Sequence, residues 1–471
     1  MAGLRLTYLG GLFLNDTDAE AQTYLSGDTY AGTLNIAGGT VSVPASAFDN
    51  NVYRYNERHW MHALTAQAAR GGIDWRITGS HYRFDKDEQR IPATALPAAR
   101  SGGAGSIVDM AGTGWKTLDL SLSHGGTSAG AHGDIVKLES HRYATADWLE
   151  GPRGALNQAA EGHTTTGAVW AKHVLAVLPA VSLMLGGRYE WWHAERGYNF
   201  SLAPALTVSQ PELSHEGFSP KASVRWTIAG PWSATLSLGQ AYRFPTVQEL
   251  YQAVSTGPTI TVPNPNLAPE RARSGELALA RTDARGSIRL SLFAEDIRDA
   301  LISQSAPLVA GSSTLFNYVQ NVPRTRNYGA ELAFERTGVL LPQLDVSASF
   351  TLINPKIVSD PVFRVAEGKD IPQVPRRRGT VVLTWHQSEE AAFTLAARYA
   401  SRSFATIDNS DTITHTFQGF DGYVLADARA QFRLTRQVEG AVGIENLFDR
   451  RYFLFHPFPG RTWTAEVHMR L

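Results

Sequence analysis

"NLFDRRYFLFHPFPGRTWTAEVHMRL", Asn446 to Leu471, closes the chain. Its last residues separate into two sets. Trp463, Ala465, Val467, Met469 and Leu471 are apolar, while Thr462, Thr464, Glu466, His468 and Arg470 are polar. Successive side chains of a strand point to opposite faces, so this is a β-strand with one greasy and one charged side. The same alternation recurs upstream. Leu118, Leu120 and Leu122 alternate with Thr117, Asp119, Ser121 and Ser123. Ala222, Val224, Trp226 and Ile228 alternate with Lys221, Ser223, Arg225 and Thr227, and Ala426, Ala428, Ala430 and Phe432 with Asp427, Arg429 and Gln431. Helical periodicity is scarce. Roughly 18 such segments of about 9 to 13 residues are expected, the length of a tilted membrane-spanning strand.

The connections between them alternate short and long. Tight turns are expected at 69–72, 178–180, 229–231, 282–285 and 388–390. Long loops are expected at 12–56, 84–113, 145–162, 193–216, 243–270, 298–326, 354–376, 402–421 and 448–461. Loops beyond about 15 residues are uncommon in compact soluble domains. Tight turns on one side and long loops on the other are the plan of an outer-membrane barrel. The expected fold is therefore all-β, a transmembrane antiparallel β-barrel whose apolar face meets lipid and whose polar face lines water. Backbone groups in lipid must all be paired, which forces strands to close on one another. If the segment at Leu4 runs outward, parity makes the last strand run inward.

Composition agrees. Of 471 residues 43% are hydrophobic, which excludes wholesale disorder, and only 18% are charged, below the roughly 25% of soluble domains. The formal net charge of −1 points to no nucleic-acid partner. Absence of cysteine removes disulfides, thiolate metal sites and cysteine nucleophiles. The best apolar run, Val174 to Leu185, is too short for a transmembrane helix, which needs about 20 residues, and is broken by Pro179. The N-terminal stretch imitates a signal peptide with Ala19-Glu20-Ala21 as cleavage site, but a strand from Leu4 to Leu9 is the better reading.

The closing stretch resembles the C-terminus of TonB-dependent outer-membrane receptors, carried by Asn446, Leu447, Phe448, Asp449, Tyr452, Pro459, Gly460 and Arg461. "GQAYRFPTVQELYQ" with "NPNLAPERARSGELAL" is similar to a second segment of that family, and "IPQVPRRRGTVVL" to a third. Such barrels commonly end in an aromatic residue read by the barrel assembly machinery, whereas this chain ends in Leu471. The resemblance implies a 22-stranded barrel preceded by a signal peptide, a TonB-contacting segment and a plug. None of these is visible before Leu4. The expectation is one β-barrel domain over 1–471, N-terminally incomplete, with about 18 strands of the 22-strand pattern.

What the resemblance implies for function is TonB-dependent uptake of a scarce nutrient, typically a ferric siderophore, across the outer membrane of a Gram-negative bacterium. The implied partners are outer-membrane lipid and lipopolysaccharide, the chelate, the TonB complex and the assembly machinery. A passive 18-stranded porin-like channel is the competing reading; a porin usually folds one loop inward as a constriction. No catalytic constellation is present, so no enzyme and no cofactor are expected. The fourteen histidines are scattered, and His456 and His468 fall on different elements, so no metal site is expected either. Arg376, Arg377 and Arg378 at a loop-to-strand junction could attract an anionic chelate, or equally lipopolysaccharide phosphate or solvent. Tyr242, Arg243 and Tyr251 either face a ligand vestibule or pack within girdle and loops. Tyr189, Trp191 and Trp192, with Trp463, fit an interfacial aromatic girdle; a core cluster is the alternative for the first three.

Overall fold

The computed structural model describes residues 3–470 apart from 26, 28, 37–38, 253, 257–258 and 307–314. Leu471 lies outside the described residues. Within them one sheet holds 22 strands. Four of these are short rim segments, Gly105–Asp109, Ala205–Ser209, Val254–Thr256 and Thr259–Val262. The long ones are numbered β1 (Arg5–Ala19), β2 (Tyr53–Arg70), β3 (Ile73–Pro92), β4 (Gly114–His124), β5 (Thr127–Thr145), β6 (Leu156–Leu178), β7 (Val181–Leu202), β8 (Leu213–Ala229), β9 (Trp232–Arg243), β10 (Glu270–Asp283), β11 (Gly286–Ala306), β12 (Leu315–Arg336), β13 (Leu344–Ser359), β14 (Arg377–His386), β15 (Ala391–Ala400), β16 (Tyr423–Arg433), β17 (Val438–Glu445) and β18 (Thr462–Met469). Each pairs antiparallel with the next from β1 to β18, an up-and-down meander. Among the described residues no helix is long and apolar enough to cross a membrane.

The two faces of the wall are inside-out relative to a soluble sheet. Leu118, Leu120, Leu122, Leu236, Leu238, Leu290, Leu292, Leu383, Leu395, Val442 and Val467 all stand exposed. The opposite face is polar and cross-linked strand to strand. Thr65 meets Thr78 at 3.1 Å, Ser80 meets Thr117 at 2.6 Å, and Ser349 meets Thr380 at 2.9 Å. Arg429 grips Glu466 through two 2.8 Å bonds, and Arg398 pairs with Asp427. Cross-strand pairs of this kind are what hold a sheet's register where no apolar core lies behind it.

The short turns fall where alternation places them, at 71–72, 125–126, 179–180, 230–231 and 284–285. Several expected loops are not loops. Segments 193–216 and 298–326 are largely strand, as β7–β8 and β11–β12 extend beyond the apolar band. Loop residues cover the long-loop end with small clusters of their own, such as Leu25, Leu34, Ile36, Val43 and Phe48 packed with Phe417 and Phe453.

Candidate functional site

The connection after β9 turns inward. Thr246 caps a short helix, α1 (Val247–Tyr251), and Glu249 reaches back to the Thr246 backbone to complete a capping box. Val247, Leu250 and Tyr251 bury against Leu138, Trp192 and Ala194 on the inner face of β5 and β7. Gly162 and Gly197 leave room for the Tyr251 ring: a Cβ on either would approach it to within 2.4 Å.

Beside this helix, at the long-loop end, the inner wall of β2, β3, β5, β6 and β7 encloses a cavity of about 1030 Å³. Tyr53, Tyr55, Gln89, Ser140, Gln158, Asn199 and Gln210 contribute its phenol, amide and hydroxyl groups, and Tyr24 and Asn50 border it from the 20–52 loop. Arg142 also lines it. Among the described residues no carboxylate pairs with Arg142, and burial pushes its guanidinium below its usual value. Other arginines nearby are committed. On the outer face, Arg54 bridges Asp18 and Glu150, and Arg153 reaches Glu88 and Asp109.

One wall of the cavity carries Glu57 and Asp87, directly opposed across β2 and β3. His59 Nε2 lies 3.1 Å from Asp87 Oδ2, and its Nδ1 lies 3.0 Å from the Tyr82 hydroxyl. The imidazole stacks on Phe84, centroids 3.9 Å apart and planes 4° from parallel. Burial, and then the Glu57 carboxylate, push Asp87 up to about 6. Glu57 and Asp87 stand on the long-loop side of the outward Arg58–Asp85 ion pair, beyond the apolar band of these strands. Sequence reasoning missed this cluster. Its only local sign is Glu57 and His59 two apart on one strand face.

None of the six residues expected to bind ligand lines the cavity. Tyr251 is the fully buried last residue of α1, and Arg243 pairs with Glu249. Tyr242 stacks along Phe244, 6.5 Å between centroids. Arg376 is held by Asp370 through two 2.7 Å bonds, with Lys356 2.8 Å away on the same carboxylate. Arg377 and Arg378 are successive residues of β14 and so face opposite sides of the wall. The girdle needs one correction. Tyr189 and Trp191 stand exposed, as does Trp463, but Trp192 is only 2% exposed. It points inward and stacks on Phe244 at 5.7 Å and 7°, because residues one apart on a strand cannot share a face.

The signature segments turn out to be locks where loops rejoin the wall. Asn446, at φ 51°, binds both the N–H and the carbonyl of Arg450. Asp449 accepts the Arg461 N–H at 2.8 Å, and Arg461 Nε donates to the Leu447 carbonyl. Gly460 makes room for that carboxylate, since a Cβ would meet Asp449 Oδ1 at 2.5 Å. Tyr452 is buried between Tyr423 and Phe458, Pro459 offers its carbonyl to Asn446, and Phe448 is 76% exposed. In the second segment Asn264 donates to the Val319 carbonyl, and Glu270 accepts from the Leu301 N–H.

An eighteen-strand meander, apolar outside and hydrogen-bonded within, with tight turns at one end and folded loops at the other, defines an outer-membrane-type β-barrel wall. The chain belongs to the family described as "TonB dependent receptor-like, beta-barrel", whose profile matches residues 4–447. That family is one of outer-membrane receptors and transporters rather than enzymes. A vitamin B12 transporter, BtuB of Vibrio vulnificus (strain YJ016), is 26% identical over 244 residues, 50% of this chain and 34% of that protein. The match thus spans about a third of that relative's length. Among solved structures, the siderophore receptor PiuA from Acinetobacter baumannii aligns with TM-score 0.67 and 15% identity, over 99% of this chain and 71% of that one. The unliganded ferric citrate transporter FecA aligns with TM-score 0.66 and 17% identity, over 88% and 62%. At these identities the likeness is one of fold.

Proposed function

We propose that this chain forms the wall and ligand vestibule of an outer-membrane receptor for TonB-dependent uptake of a ferric siderophore or a similar anionic chelate. Arg142 carries the reading. Among the described residues its guanidinium has no carboxylate paired to it, although Glu57 and Asp87 stand elsewhere on the cavity wall, and such a group is stabilised by an anion that brings its own charge. Phenol and amide groups suit a chelate rich in carbonyl and hydroxyl oxygens. The relatives named for siderophore, ferric citrate and vitamin B12 share the fold, so the barrel alone does not select among cargoes. In this reading the long-loop end is extracellular, lipid and lipopolysaccharide surround the wall, and the TonB complex supplies the energy.

A passive channel is the second reading, favoured by one observation: α1 lies on the inner wall, as a constriction loop would. Family membership weighs against it. The experiment is tryptophan quenching of the detergent-solubilised chain by ferric catecholate, hydroxamate and citrate chelates. Saturable binding to one class, weakened at least tenfold by Arg142→Gln, is expected. Equal, non-saturating quenching by all three would overturn the proposal.

A further inference from the structure

We propose that Glu57, His59 and Asp87 form a site for one divalent transition-metal ion on the wall of the vestibule, separate from the ligand anchored by Arg142. The donor atoms of the three residues lie within 4.8 Å of one another. The 3.1 Å between His59 Nε2 and Asp87 Oδ2 suits two ligands sharing an edge of a metal's coordination shell as well as it suits a hydrogen bond. Two carboxylates set directly opposite each other across a ladder repel. Among the described residues neither is paired with an arginine or lysine: Asp87 has only His59, and Glu57 has only the Asn15 amide. A bound dication neutralises both charges at once.

His59 is built as a ligand would be. Its Nδ1 reaches the Tyr82 hydroxyl, and its ring lies flat on Phe84, so Nε2 is held toward the carboxylates. Fixing the far nitrogen in this way is how a neighbouring residue sets the tautomer and direction of a metal-bound imidazole. His59 is only 6% exposed and Asp87 8%, so both are ordered before any ion arrives. One imidazole and two carboxylates select a borderline ion of the zinc, cobalt or manganese type over calcium, which takes six to eight oxygens. Three protein ligands leave at least one coordination position for water or for a donor atom of a vestibule ligand. Glu57 and Asp87 both line the cavity, so that position opens on it.

The test uses the full chain in detergent, stripped with a chelator, then titrated with Zn²⁺ against a chromophoric competitor and with Co²⁺ by visible absorption. One tight equivalent and a cobalt ligand-field band are expected. Asp87→Asn, which keeps the shape and a hydrogen bond to His59, and His59→Gln should each weaken that equivalent at least tenfold. Tyr82→Phe should weaken it while leaving the cobalt band in place, as expected of a positioning residue. His132→Gln, which removes the imidazole bridging Asp119 and Asp134 elsewhere on the wall, should change nothing. Far-UV circular dichroism and heat-modifiable gel mobility show that each variant has folded. Absence of saturable binding, or zinc affinity in Asp87→Asn equal to that of the unaltered chain, would show a structural His59–Asp87 ion pair only.

Discussion

Trp191 and Trp192 are neighbours in sequence, yet replacing Trp192 with alanine should loosen α1 and replacing Trp191 should leave it in place. Trp192 is 2% exposed and packs on Phe244, beside Leu138, Val247 and Leu250. Removing a buried Trp costs about 3–5 kcal/mol in a packed core. Three apolar residues, Val247, Leu250 and Tyr251, fasten the helix, each contributing roughly 1.5–3 kcal/mol when fully buried. That gain is opposed by the entropy of ordering the segment. Loss of 3 kcal/mol from the surface on which they sit therefore takes most of the net docking energy. The wall itself, held by ladders and polar cross-links, should stay intact.

The effect should appear as local opening, raising hydrogen exchange at Leu250 and Gln252, whose N–H groups bond Thr246 and Gln248, by about two decades. Trp191 is 38% exposed and covers Gly167 on the outer face, where it has no contact with the helix cluster. Trp191→Ala should leave α1 protected and weaken only the hold on the membrane interface. Hydrogen-exchange mass spectrometry of the two variants in the same detergent decides. Equal deprotection of α1 in both, or none in Trp192→Ala, would refute the assignment of faces and the inward docking of the helix.

Val467→Arg, on the outward face of β18, should cost about 2–4 kcal/mol of folding stability in liposomes, and Thr464→Arg on the inward face close to nothing; equal losses in urea titrations would contradict the faces. Leu340 and Val362 lie at opposite ends of β13, 94% and 91% exposed. A cysteine at Val362 should react with an impermeant reagent on intact cells and one at Leu340 should not; the reverse would invert the topology. Burial alone would raise Asp370, but Arg376 and Lys356 hold it below the ordinary carboxylate value. Its stabilisation of the 360–376 loop is thus complete above about pH 4 and is lost as the pH falls through the lowered folded value. Pepsin cleavage there should rise over that acid window in the unaltered chain, while Asp370→Asn should be cut at similar rates throughout. Gly460→Ala should displace the Asp449 carboxylate from the Arg461 N–H and lower stability by about 1–3 kcal/mol, read as a reduced urea midpoint.

The barrel was legible because its signal is local. Period-2 alternation fixes which residues meet lipid without knowledge of the partner strand, so the faces at 118–122, 222–228 and 426–432 follow directly from the sequence. The same rule, applied residue by residue, separates Trp192 from Trp191; grouping them as one aromatic cluster obscured it. Candidate ligand residues fared differently. Arg376, Arg243 and Tyr251 draw notice for their charge, ring or place in a family segment, yet those very segments are anchored by them. Arg376 holds Asp370, Arg243 holds the capping residue Glu249, and Tyr251 fills the space over two glycines.

What remained hidden is non-local, and β3 shows why. Read by alternation, Tyr82 and Phe84 put Lys86 and Glu88 on the inner wall with them. The ladder slips by one residue there: His59 pairs with Phe84, but Arg58 pairs with Lys86, leaving Asp85 as the extra residue of a bulge. A one-residue slip exchanges the faces of everything beyond it. Lys86 and Glu88 therefore turn outward, among the ion-paired groups around Arg54. Asp87 and Gln89 turn inward to the vestibule. That single inserted residue removes a lysine from the cavity wall and puts a carboxylate opposite Glu57. The charge of the vestibule, and with it the cluster at His59, is set by the bulge rather than by composition.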